Sequence, residues 1–360
     1  MTSIERIHPH DKDLGGGFKV RRLLPAMARQ SVGPFLFFDH FGPATVVPES
    51  EHDVRPHPHI GLATVTYLFS GAILHRDSLG CVQQIEPGAI NWMTAGRGIV
   101  HSERRPDTLV NATYVNHGIQ LWAALPPEHE EAAPSFVHTP ADAIAQLQVD
   151  DATVRVLVGQ AWGAQSPVVS LAPALYLDIQ LPANGQLRLP AGMAQELGLY
   201  AVDAAVSVAD EMLEPHTMAV LPADRPLALR AGAAPVRCML VGGDVGAAGY
   251  LVAYALARTQ LAQGLPVLAD CVNPLQVTRN AWRSVAEAVQ VPSLFVEVVC
   301  TDAAEHRRRV ETRVGDVAGL AVPTWDAVQR HDYAPWAEGR GHRLLVDTAR
   351  LNARDAAALV

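Results

Sequence analysis

The chain is 360 residues long, 49% hydrophobic, and carries a formal net charge of −9 with 15 histidines. That length can supply more than one packed core, and a negative balance without a dense basic run excludes nucleic acid as a direct, charge-driven partner. The longest apolar run, Val245 to Ala257, falls short of the roughly 18 residues a membrane helix needs, and the opening residues have no apolar signal core, so a cytoplasmic protein without a membrane partner is expected.

From about residue 18 to residue 125 the chain is written in short apolar or alternating runs cut by Gly, Pro, Asp and Asn: Pro34 to Asp39, Ala63 to Phe69, Gly118 to Leu125. Such spacing predicts an all-β sandwich or barrel. Residues 126–145, with Pro126, Pro127 and Pro134, read as a connector. A second β-rich stretch follows from about Ala152 to Val241, through Ala174 to Leu181 and Met218 to Leu221, so two similar β halves are expected. The domains are then 1–130, 131–243 and 244–360. Past Gly242 the character changes: a helix from Tyr250 to Ala262, a strand from Leu265 to Asp270, a helix from Arg279 to Val289, a strongly buried strand from Leu294 to Cys300 and a helix from Ala303 to Arg313. Alternating helix and strand predicts a small parallel α/β unit. The four cysteines, Cys81, Cys238, Cys271 and Cys300, form no Cys-x-x-Cys pair and read as buried thiols.

Two motifs carry chemistry. His57-Pro-His59 precedes a strand-like run, and Pro58 biases His57 toward extended geometry and keeps the pair out of a helix interior. Residues two apart in an extended chain point to one face, so both imidazoles can meet one ion. His101-Ser-Glu103 repeats that geometry. If both segments line one barrel, His57, His59, His101 and Glu103 converge as three nitrogens and one carboxylate, a set suited to iron(II), nickel, manganese, cobalt, copper or zinc. Four ligands on an octahedral ion leave two positions open.

Other residues invite a role and compete with plainer readings. His75 and Asp77 fit either a pair orienting a ligand or a turn with satisfied side chains. Trp92, Met93 and Trp122 read as core packing. Asp39 with His40 resembles a catalytic dyad, and Gly96 and Gly98 read as backbone requirements. In the second half, Glu214-Pro-His216 offers one same-face pair without a matching partner pair, so that half is expected to hold no metal.

Arg55-Pro-His-Pro-His-Ile-Gly61 and Asn91-Trp-Met-Thr-Ala-Gly-Arg-Gly-Ile-Val-His-Ser-Glu103 resemble the signature of the pirin family of bicupins. Gly33 to Gly42, His75 to Gly80 and Gln120 to Trp122 extend the resemblance, which implies a structural role for Asp39 with His40. It implies tandem cupin barrels with the metal, usually iron, in the first, held by His57, His59, His101 and Glu103. It further implies either quercetin 2,3-dioxygenase-like chemistry on a small aromatic substrate with O2, or a redox-sensitive regulatory module with a protein partner. On the enzyme reading Glu103 is also catalytic, taking the substrate hydroxyl proton.

The segment after residue 243 resembles a degenerate P-loop kinase or AAA-like ATPase. A working phosphate loop needs Gly-x-x-x-x-Gly-Lys-Ser/Thr. The aligned segment is Gly243-Asp-Val-Gly-Ala-Ala-Gly-Tyr250, with Gly249 in place of the lysine and Tyr250 in place of the hydroxyl. No lysine follows Lys19, so phosphoryl transfer is not expected there. Asp270, Arg307, Arg308 and Arg309 read as a solvated surface.

Overall fold

Alternation of apolar and polar residues sets the strands, and the strands build two barrels of one design in a computed structural model. It describes residues 4–14, 18–26, 29–50 and 52–244, then 254, 257, 258, 260–271, 273, 276–313, 324–329, 336 and 343–359. The chain divides into two compact units, Met1–Val252 and Ala253–Val360.

Within the first unit each barrel pairs a seven-stranded sheet with a four-stranded one. The large sheet of the first barrel is centred on Tyr114–Ala124, which pairs antiparallel with both Phe35–Val46 and Leu62–Ser70. In the second barrel Val236–Gly243 holds that place, between Ala174–Leu181 and Glu196–Ala201. Strands alternate faces. Along Tyr114–Ala124, Ile119, Leu121 and Ala123 enter a core shared with Tyr176, Tyr200, Met218 and Met239 of the second barrel. The seam between the barrels is thus apolar and aromatic, with Phe38 and Tyr200 ring centroids 4.9 Å apart.

Each barrel borrows an edge. Glu5–Ile7, at the start of the chain, pairs with Met218–Leu221 in the second barrel. Ser135–Thr139, inside the stretch read as a connector, pairs with Ile90–Thr94 in the first. Strands therefore cross the expected boundary at residue 131 in both directions. The prolines of the connector do not prevent pairing at an edge, where one side of the strand needs no partner.

The second unit contains a parallel pair of strands, Phe295–Val299 and Arg343–Asp347, with helices Gln276–Ala288, Ala303–Thr312, Trp325–Gln329 and Ala353–Ala357. The α/β character is as the sequence implies, with two corrections. Leu265 to Asp270 is not a strand: it is irregular, exposed chain without sheet partners among the described residues, and Leu268 is 91% exposed. The strand Phe295–Val299 is only half-buried, because Val298 faces solvent. The positions aligned with the phosphate loop, 245–250, lie outside the described residues, as do parts of the expected helix Tyr250 to Ala262. Arg307, Arg308 and Arg309 are exposed and pair with Glu311 and Glu305 on their own helix, a solvated face. Asp270 is exposed as well. All four thiols are free, but only Cys238 is buried; Cys81, Cys271 and Cys300 are half-buried. No helix among the described residues is long and apolar enough to cross a membrane.

Candidate metal centre

Val54–His59 is the edge strand of the small sheet in the first barrel, so Pro56 and Pro58 interrupt no second ladder. It pairs antiparallel with Ile99–Arg104, placing His101 opposite His57 and Ile99 opposite His59. Between His101 and Glu103 the register slips, so Glu103 faces Val54; such a bulge re-aims a side chain at a barrel rim. The turn before Ile99 depends on Gly96, whose φ is +49° and where an added Cβ would stand 2.0 Å from the Ala132 carbonyl oxygen.

Three of the four expected ligands converge. The ligand nitrogens of His57, His59 and His101 lie within 4.8 Å of one another. Burial and the neighbouring His57 hold the His59 imidazole at a pKa of about 4. Burial, then His59 and His57, hold that of His101 at about 2. Both are neutral donors at physiological pH. His57 Nδ1 donates to the Arg55 carbonyl at 2.8 Å, which leaves its Nε2 free. His101 Nε2 is buried and has no hydrogen-bond partner among the described residues. A buried nitrogen without a partner carries a desolvation cost that a bound cation removes, so this donor set fits a divalent transition metal.

Glu103 lies on the same cavity wall but outside that tight group of nitrogens. The Thr66 hydroxyl stands 3.3 Å from its Oε1 and 2.9 Å from Gln120 Oε1. Burial raises the Glu103 pKa, with His57 and Thr66 opposing. The cavity measures about 1180 Å³. Its wall includes Trp122, whose ring stacks on Phe37 at 4.0 Å and meets His59 edge-on at 5.1 Å. Arg22 lies over the other side of Phe37 at 4.3 Å and forms two hydrogen bonds to Asp39, at 2.8 and 2.7 Å.

The expectation that Trp122 is core packing is therefore corrected, whereas Trp92 and Met93 are buried in the cores. Arg22, Phe37, Thr66 and Gln120 were not singled out in the sequence. Their signal was strand alternation: Gln120 and Trp122 sit on the face opposite Ile119 and Leu121, as Phe37 and Asp39 do opposite Phe38 and His40. That same alternation separates Asp39 from His40. Asp39 faces the cavity, while His40 bonds Tyr200 Oη at 2.6 Å and His117 Nε2 at 2.7 Å on the seam side. Glu214 and His216 are not a same-face pair, because His216 sits in a turn with φ +63° and packs toward His40. His75 and Asp77 lie directly behind the centre: His75 Nδ1 is 3.3 Å from His101 Nδ1, and His75 Nε2 is 2.9 Å from Asp77 Oδ2.

Comparison with known proteins fits this architecture. The family model described as Pirin matches residues 17–123. A Pirin-like protein of Caulobacter vibrioides is 41% identical over 236 residues, which span 65% of this chain and 81% of that protein. This chain belongs to the pirin family. Human Pirin is 33% identical over 214 residues, 58% of this chain and 70% of that protein. Among solved structures, a quercetin 2,3-dioxygenase from Acinetobacter baumannii superposes with a TM-score of 0.64 at 30% identity, covering 75% of this chain and 97% of that one. The residues of this pirin-type bicupin that meet at the His57, His59 and His101 cluster fall within the stretch that the family model matches.

Proposed function

We propose that this pirin-type bicupin is a metal-dependent dioxygenase of the quercetinase kind, acting on a small aromatic substrate with O2. The observation that supports it most is that three imidazoles gathered within metal-binding distance share the lining of one roomy cavity with the Glu103 carboxyl and with Phe37 and Trp122. The superposed structure named for quercetin 2,3-dioxygenase points the same way.

His57, His59 and His101 would hold the metal, with Glu103 as the fourth ligand, and iron(II) leads the candidates. A bound metal of this kind supplies coordination of substrate oxygen and activation of O2. The chain's own residues do the rest. Trp122, held by its stack on Phe37, offers a flat apolar surface for an aromatic ring, and Arg22, fixed by Asp39, adds positive charge to the lining. Glu103 receives the substrate hydroxyl proton, a task that its upward-shifted pKa favours. Thr66 can then turn its own hydroxyl proton to Gln120 and accept a hydrogen bond from the protonated Glu103. The α/β character of the second unit does not by itself support the resemblance of the segment after Gly243 to a degenerate P-loop unit, and no reaction is assigned to it.

Oxygen uptake by metal-loaded protein with quercetin tests this function. Uptake that depends on quercetin and disappears in Glu103→Ala is the expected result. Full metal loading with no uptake on any flavonol would reject the dioxygenase and leave a regulatory metal module.

A further inference from the structure

Hydrogen counting behind His101 leads beyond the ligand set itself. Asp77 Oδ1 accepts backbone N–H bonds from Leu79 at 2.9 Å and Cys81 at 3.1 Å, which pins the carboxylate. Its Oδ2 can only accept, so the His75 Nε2 at 2.9 Å must carry a proton. A neutral imidazole has one such proton, and His75 Nδ1 is therefore bare. The nitrogen facing it at 3.3 Å, His101 Nδ1, must then be the donor. His101 is left with a bare Nε2, the buried atom without a partner among the described residues. Only one arrangement of protons satisfies the whole chain.

We propose that Asp77 and His75 are positioning residues that fix His101 in the Nδ1-protonated tautomer and so present Nε2 to the metal before any metal arrives; this rests on the metal reading but not on the dioxygenase reading. The chain is anchored from both sides. His75 stacks on Phe136 at 4.2 Å and 22°, and Phe136 belongs to the borrowed edge strand Ser135–Thr139. Strand Ile73–Asp77 pairs with Ile99–Arg104, setting His75 opposite Glu103 and Asp77 opposite His101. His57 reaches the same tautomer by a different route, through the Arg55 carbonyl. Two of the three imidazoles are thus preset, one by backbone and one by a buried side-chain relay that mutation can reach. Partners of this kind raise ligand basicity and remove the cost of choosing a tautomer on binding.

The test is made on the full-length, metal-free protein. Long-range proton–nitrogen-15 spectra of the imidazoles should show His101 protonated at Nδ1 and bare at Nε2; protonation at Nε2 would overturn the proposal. His75→Phe retains a ring against Phe136 and removes the acceptor. It should weaken nickel(II) binding about 10- to 100-fold in chelator competition, populate both His101 tautomers, and lower the metal-free melting temperature by several degrees, because Asp77 Oδ2 and His101 Nδ1 lose their partner. His75→Gln, which restores an acceptor, should recover much of the affinity. Parent affinity together with an unchanged His101 tautomer in His75→Phe would refute the role. Should that variant fail to fold, the tautomer of the parent decides alone. None of these readouts uses oxygen or quercetin, so failure of the enzyme reading and failure of this one remain distinguishable.

Discussion

The two barrels share a topology and differ in what fills one small sheet. In the first, the four strands lie in the order Val54–His59, Ile99–Arg104, Ile73–Asp77, Val82–Ile85; in the second, Gln186–Leu189, Leu227–Ala231, Val206–Val208, Glu211–Leu213. Taken in chain order both arrangements run first, fourth, second, third. The registers correspond as well. His57 faces His101 as Leu187 faces Leu229, and His59 faces Ile99 as Leu189 faces Leu227. Leu187, Leu189 and Leu229 are at most 1% exposed and pack into an aliphatic core. One design thus serves two ends: apolar side chains at these positions close a barrel, and imidazoles at the same positions create a donor cluster facing a cavity. The fold supplies directions, and residue identity supplies the chemistry.

Making the first barrel resemble the second should have the largest effect. His101→Leu should lower metal affinity more than about 100-fold, because it deletes a ligand whose Nε2 has no alternative role. Its metal-free melting temperature should fall by no more than several degrees, since losing the unpartnered Nε2 removes a desolvation cost while losing the Nδ1 donor leaves His75 Nδ1 unpaired. Metal analysis paired with calorimetry reads both, and retained metal would break the comparison.

Damaging the second barrel should do the opposite. Leu229→Ala opens a cavity in an aliphatic core and should cost about 2–5 kcal/mol in denaturant unfolding, with metal content per folded chain unchanged. A loss of metal at constant fold would show that the second barrel takes part in the site.

Acid should separate the two interiors more gently. His59 and His101 have folded-state pKa values of about 4 and about 2, below the unfolded value near 6.5. The unfolded chain therefore takes up these protons first. Their contribution is intact above about pH 6.5 and is lost as pH falls toward 4, at about 1.4 kcal/mol per pH unit for each group. Seam residues His40, at about 2, and His117, at about 4, act in the same direction. Metal-free His101→Leu should show a shallower fall between pH 6 and pH 4 than the parent, by one proton's slope. Identical slopes would contradict the assigned burial.

The smallest effect concerns the cavity wall. Trp122→Leu removes the ring stacked on Phe37 and should raise the quercetin KM about 3- to 10-fold, the equivalent of about 0.5–1.5 kcal/mol of ring contact, with metal content unchanged. An unaltered KM would place the substrate elsewhere in the cavity.

Much of this was legible in the residues. His57, His59 and His101 announce themselves by spacing, since period two in an extended chain puts paired imidazoles on one face. The strand Ala174–Leu181 follows from its own apolar run. What the sequence hides is long-range. Glu5–Ile7 and Ser135–Thr139 gain their roles only from the sheets they complete, and neither carries a strong local signal. Leu265 to Asp270 misleads for the same reason, because an apolar run becomes a strand only when a partner lies beside it. Trp122 was assigned to a core because composition does not say which face of a strand meets a cavity. The relay through His75 and Asp77 spans separate strands, and only their register brings those atoms together.

The most direct test of the account is to titrate metal-free protein with nickel(II) while following each histidine by NMR. Saturation at one ion per chain is expected, with His57, His59 and His101 perturbed directly. Absence of binding, or perturbation centred on the seam histidines His40, His117 and His216 with the first-barrel cluster unmoved, would contradict it.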